Sequence, residues 1–64
     1  MKNLEEITAI LAEVDDNTFD KIDDAYYDMI LKSGNERRNA RKRFLYNIKK
    51  IGITEEEYTE WSNW

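Results

Sequence analysis

The 64-residue sequence predicts an all-α fold, a small antiparallel three-helix bundle with a short fourth C-terminal helix, in one domain that spans residues 1–64. Apolar residues recur at three- and four-residue steps along most of the chain, which is the spacing of one helix face. No alternating run of four or more residues indicates a strand. Pro is absent, and the only two glycines, Gly34 and Gly52, fall where periodic segments end.

The first two helices are predicted from two separate apolar stripes. The first stripe consists of Leu4, Ile7, Leu11 and Val14. The short polar side chains of residues 15–18 end this helix and supply a cap for the next one, because they can accept hydrogen bonds from free backbone N–H groups. The second stripe consists of Phe19, Ile22, Tyr26, Met29 and Ile30.

The third and fourth helices follow clear boundary signals. Gly34 tolerates a left-handed backbone and ends the second helix, and Asn35 is the predicted cap of the third. The third stripe consists of Ala40, Phe44, Ile48 and Ile51. The segment Thr54 to Glu57 predicts a capping box, and Ile53 and Tyr58 stand at the two positions of a hydrophobic staple. The fourth helix is therefore expected to fold back, with Tyr58 and Trp61 in the core.

The composition argues against catalysis. The chain has no His and no Cys, so the commonest general base and the strongest nucleophile at neutral pH are missing. There is no Gly-rich phosphate loop. The start of a calcium loop at Asp15 lacks the required Gly, and its twelfth position is Tyr26 instead of Glu. We expect a protein that is not an enzyme and that has no cofactor and no metal site.

Charge is divided sharply along the chain. Residues 1–32 hold nine acids and three bases, residues 33–53 hold seven bases and one acid, and residues 54–64 hold four acids, which together give the net charge of −4. Such segmentation says more about partners than the net charge does. No stretch of 18 apolar residues and no basic, apolar leader is present, so we expect no membrane partner and a cytoplasmic location.

The outer face of the third helix predicts contact with nucleic acid. Its polar and charged residues are Arg38, Asn39, Lys42, Arg43, Tyr46, Lys49 and Lys50. The bases would neutralise phosphates, while Asn39 and Tyr46 would contact bases. Arg37 and Arg41 lie at the edge of the apolar stripe, where we expect pairing with acids of the first two helices. Two alternatives stay open: a solvated basic face, and a surface for an acidic protein.

The second helix suggests a different function. Aspartates recur every four residues, a spacing that costs helix stability and therefore suggests a use. The candidate protein-binding residues are Asp20, Asp24, Asp28, Tyr27 and Trp64. Internal pairing and solubility are the simpler explanations of the aspartates.

Two function classes follow from these surfaces. The leading hypothesis is a small accessory module that binds nucleic acid weakly and with salt dependence, or that assists a larger protein of nucleic-acid metabolism. The alternative is a protein-binding regulator or inhibitor, of a kind encoded by phages and other mobile elements. Self-association into a homodimer is a third interpretation, because a chain of this length gains core from a partner subunit.

Overall fold

The computed structural model describes residues 1–63, which form four helices and no strand. The helices are α1 (Leu4–Glu13), α2 (Asp16–Leu31), α3 (Gly34–Lys50) and α4 (Glu55–Ser62). The all-helical prediction is confirmed. Trp64, which the sequence suggested as a binding residue, lies outside the described residues.

The helices pack most closely in two pairs. Only Lys32 and Ser33 separate α2 from α3, and these two helices form a hairpin with the most extensive contacts in the molecule. Asp28 contacts Arg43 across this hairpin. The other close pair is α1 with α4. This pairwise packing does not test the antiparallel three-helix bundle, which stays a prediction.

A single core joins the two pairs. Its buried residues are Ile7, Leu11, Ile22, Ala25, Phe44, Ile48, Ile53 and Tyr58. At its centre the ring of Phe44 lies 5.1 Å from that of Tyr58 and 5.5 Å from that of Tyr26, measured between centroids. The rings of Phe44 and Tyr58 meet at 74°, an edge-to-face contact that brings the positive edge of one ring to the negative face of the other. These rings attach α4 to the hairpin.

The helix boundaries confirm three of the sequence signals and correct one. Asp15 caps α2 by accepting a hydrogen bond of 2.7 Å from the Thr18 N–H, and the Thr18 hydrogen bonds lower the pKa of Asp15. The capping box is present at α4, and both staple positions are buried.

The boundary between α2 and α3 is the signal that the structure corrects. Gly34 is left-handed, with φ of 64°, but it begins α3 instead of ending α2, whose last residue is Leu31. The cap of α3 is therefore Ser33 and not Asn35.

Glu57 has a role beyond its capping box. Its carboxylate accepts a hydrogen bond of 2.9 Å from the Thr54 N–H and another from the backbone N–H of Lys2. The Lys2 ammonium in turn donates to the carbonyl of Gly52 at 2.7 Å. Glu57 is the only buried charged residue of the described chain, and its pKa is lowered by the hydrogen bonds from Thr54 and then Lys2. The carboxylate therefore fastens the start of the chain to α4.

Candidate functional site

The outer face of α3 is set by the burial of its opposite face. Ala40, Phe44 and Ile48 are buried against the rest of the protein. At about 100° per residue, the remaining positions of the helix turn towards solvent. Six of the residues that the sequence predicted for nucleic-acid contact are exposed there without an ion pair, and we call them the basic face: Arg38, Asn39, Lys42, Tyr46, Lys49 and Lys50.

Arg43 differs from the rest of the predicted nucleic-acid residues. Its guanidinium Nη2 lies 3.1 Å from Oδ2 of Asp28 on α2. The Arg43 side chain is still about half exposed, so the pair is partly solvated. Because the pair occupies both charges, we leave Arg43 out of the basic face, and Asp28 is not a free member of the predicted acidic stripe.

The basic face keeps its charges free. Among residues 1–63, the ion pairs are those of Lys32 with Glu36, Arg41 with Glu55, and Arg43 with Asp28. None of them includes a cation of the basic face. The four cations of the basic face, Arg38, Lys42, Lys49 and Lys50, therefore form no ion pair within residues 1–63.

Arg41 has a partner that the sequence did not indicate. Its Nε lies 2.9 Å from one carboxylate oxygen of Glu55, and its Nη2 lies 3.4 Å from the other. This forked contact raises the pKa of Arg41 above its usual value, chiefly through the hydrogen bond that Arg41 donates to Glu55. The expected partners were acids of α1 or α2, so that expectation was wrong: the contact is with the first turn of α4.

Tyr46 has the ammonium of Lys50 over one face of its ring. The ring is 63% exposed, and the Lys50 ammonium lies 4.3 Å from its centroid. Such a cation–π contact covers one face of the ring and holds the lysine beside it. The other ring face is the one a nucleobase could reach.

The predicted acidic residues lie beside an exposed aromatic ring. Asp20, Asp24 and Tyr27 all line a shallow cleft of 440 Å³ on the outer side of α2. Tyr27 is 55% exposed. The structure therefore brings together three of the five residues predicted for protein binding.

A larger groove lies beside this cleft, and the sequence did not indicate it. We call it the aromatic groove: a 680 Å³ depression whose main ring contributors are Phe19, Tyr26, Tyr27, Tyr58 and Trp61. Tyr58 is buried, as predicted. Trp61 is only half buried, because it packs on the core with one side and lines the groove with the other.

Hydrogen bonds fix the walls of the aromatic groove. The indole Nε1 of Trp61 donates to Oγ1 of Thr8 on α1 at 3.0 Å. The Ser62 hydroxyl lies 3.0 Å from the Tyr26 hydroxyl on α2. Burial raises the pKa of Tyr58 to about 12, with a further contribution from the nearby carboxylate of Asp23. Asp23 and Tyr58 both line the groove.

Residues 1–63 contain neither a metal-binding cluster nor a membrane-spanning helix. No group of three acidic side chains lies close enough to hold a metal ion in that stretch. None of its helices is both long enough and apolar enough to cross a membrane.

Comparison of the chain with protein-family models, with curated proteins and with solved structures finds no match. Arguments about function therefore depend on the surfaces described above.

Proposed function

We propose that the protein is a non-enzymatic accessory module that binds nucleic acid through the basic face of α3. The observation that carries the proposal is that four cations on one helix face form no ion pair with any described acid, although ten acids precede them in the chain. A face neutralised from within the molecule would pair these cations with the acids of α2. Free cations in a row are what phosphate binding requires.

The spacing of the cations suits a phosphate backbone. From Arg38 to Lys49 the helix rises about 16 Å at 1.5 Å per residue, with Lys42 between them. One strand of duplex advances about 3.4 Å along the axis per phosphate, so this length spans several phosphates. Contacts of this kind position a protein on nucleic acid and carry no sequence information.

Base recognition has few candidates. Asn39 can offer an amide to an adenine edge, and Tyr46 can stack its free ring face on an unpaired base. Two such contacts beside four cations predict low sequence preference. The expected dissociation constant lies at about 10⁻⁴ to 10⁻⁶ M at physiological salt, the range of non-specific binding. A weak module of this type serves best beside a larger protein of nucleic-acid metabolism.

The test is fluorescence anisotropy of labelled single- and double-stranded oligonucleotides at about 50 and 200 mM salt. The wild-type protein is expected to bind at low salt and to weaken steeply at high salt. The double variant Lys42→Glu/Lys49→Glu should abolish binding and keep the circular dichroism of the folded protein, because both side chains are exposed.

A matched control separates the basic face from net charge. The variant Lys21→Glu/Lys32→Glu makes the same change in net charge at two exposed lysines outside α3, one on α2 and one directly after it. It should retain most of the low-salt binding. Equal loss in both double variants would mean that only overall charge matters, and retained binding after Lys42→Glu/Lys49→Glu would exclude this face.

A further inference from the structure

Three depressions form one continuous path across α2, α4 and α1. The acidic cleft, which holds Asp20 and Asp24, shares Asp23 and Tyr27 with the aromatic groove. At its other end, the aromatic groove shares Thr8 and Trp61 with an apolar cleft of 490 Å³ between α1 and α4. Each of the three depressions has the volume of one small-molecule pocket, so the three in succession fit an extended or helical segment of polypeptide.

The chemistry changes along this path. The acidic cleft contains three aspartates and one lysine, Lys21, a net charge of −2. The middle is aromatic. The far cleft is lined mainly by small and apolar groups, among them Leu4, Ala9 and Ala12. Tyr and Trp are enriched at the energetic centres of protein interfaces, and here they occupy the middle of the path.

We propose that this path binds a basic peptide segment of another protein, with Lys or Arg side chains at the acidic cleft and apolar side chains against Trp61 and the far cleft. Charge complementarity decides the class of occupant. Asp20, Asp23 and Asp24 form no ion pair within the described chain, and a row of carboxylates attracts cations and repels phosphates. A cation at this end would also meet the exposed ring of Tyr27.

The proposed peptide site is independent of nucleic-acid binding. The basic face belongs to α3, whereas α3 contributes no residue to the acidic cleft, the aromatic groove or the apolar cleft. One molecule could therefore hold nucleic acid and a basic protein segment with separate residues. A negative result at one surface therefore leaves the proposal for the other surface unchanged.

The experiment uses three labelled synthetic peptides of equal length. One has three Lys-Leu-Leu-Lys repeats, one replaces Lys by Glu, and one replaces Leu by Ser. Binding is measured by anisotropy and by the emission of Trp61 in a Trp64→Phe background, where Trp61 is the remaining indole. We expect the Lys-Leu peptide to bind at least about tenfold more tightly than either of the others, and to shift the Trp61 emission.

Variants locate the site. Asp20→Lys/Asp24→Lys should weaken binding about tenfold or more, and Tyr27→Ala about threefold to fivefold. The matched charge control, made at two exposed acids outside the path, is Glu6→Lys/Glu13→Lys.

The aromatic control is Tyr46→Ala, at an exposed tyrosine on α3. Both controls should stay within about twofold of wild type, since neither touches the path.

Three results would overturn the proposal. The first is equal binding of the Lys and Glu peptides, and the second is unchanged affinity in both acidic-cleft and Tyr27 variants. The third is concentration-dependent dimerisation, seen by sedimentation, that the Asp20→Lys/Asp24→Lys variant abolishes. That result would assign the path to a second copy of this chain, whose α3 supplies the basic segment.

Discussion

The pairing of Arg43 with Asp28 leads to a quantitative prediction about salt dependence. Two single variants, Lys42→Gln and Arg43→Gln, each remove one positive charge from neighbouring positions of α3. A count of positive charges from the sequence treats the two variants as equivalent. In the structure the two residues differ, because the Arg43 guanidinium lies 3.1 Å from the Asp28 carboxylate of α2 while Lys42 forms no ion pair. Only the Lys42 variant should therefore lose a phosphate contact.

The magnitude follows from the number of free cations. Four phosphate contacts give a slope of about −3.6 for log K against log salt on duplex DNA, at about −0.9 per contact. Between about 50 and 200 mM salt, the affinity should then fall about 150-fold. Lys42→Gln should reduce the slope to about −2.7 and the fall to about 40-fold, whereas Arg43→Gln should leave both at the wild-type value.

Anisotropy titrations at five or more salt concentrations measure these slopes directly. The companion variant Asp28→Asn frees Arg43 and should steepen the slope by up to about one contact, or −0.9. Equal slopes for the Lys42 and Arg43 variants would refute the reasoning, since the ion pair would then not hold Arg43 away from phosphate in solution. A wild-type slope near zero would refute the phosphate contacts altogether.

Four further predictions concern the fold. Phe44→Ala should cost about 3–5 kcal/mol of unfolding free energy in urea titrations, a large part of the stability of a small domain, whereas the exposed control Tyr46→Ala should stay within about 0.5 kcal/mol. Gly34→Ala should cost about 1–2 kcal/mol by the same assay, because the backbone there is left-handed, and Asn35→Ala should be nearly neutral. Folding lowers the pKa of Glu57, so its contribution to stability is present above its usual pKa of 4.5 and is lost as pH falls through the folded pKa. Glu57→Gln should therefore reduce the fall of the unfolding free energy at acidic pH, measured by urea titrations at several pH values. Between about 50 and 500 mM salt, the unfolding free energy should change by less than about 1 kcal/mol, since the ion pairs are exposed.

Local signals in the sequence predicted most of the fold, because they act within one or two helical turns. The capping box at Thr54 and Glu57 involves residues three positions apart, and the cap at Asp15 does likewise. The partner of Lys2 could not be predicted in this way. Its contact with Glu57 spans 55 positions and depends on how α1 and α4 pack, which periodicity does not determine.

The same difference between local and long-range contacts separates the candidate sites. The basic face was predicted because the exposed side of a helix follows from its buried side, as Phe44 and Ile48 show. The ion pair of Arg43 was not predicted, because its partner lies on another helix. The aromatic groove was missed for a stronger reason: α1, α2 and α4 all contribute to it, with Thr8 and Trp61 joined across 53 positions. The one available signal was the three-residue spacing of Tyr58 and Trp61.

The segmented charge of this chain needs an explanation, and folding supplies little of it. One ion pair joins α2 to α3 in the described residues, and its two side chains are 30% and 54% exposed, so solvent screens it strongly. The hairpin is instead held by apolar packing of Ile22, Ala25 and Phe44. The acids of the α2 cleft and the four cations of the basic face thus form no ion pair that would hold the fold. If added salt leaves the unfolding free energy unchanged but abolishes oligonucleotide binding, those charges serve binding partners. If the unfolding free energy instead falls steeply with salt, those charges stabilise the fold.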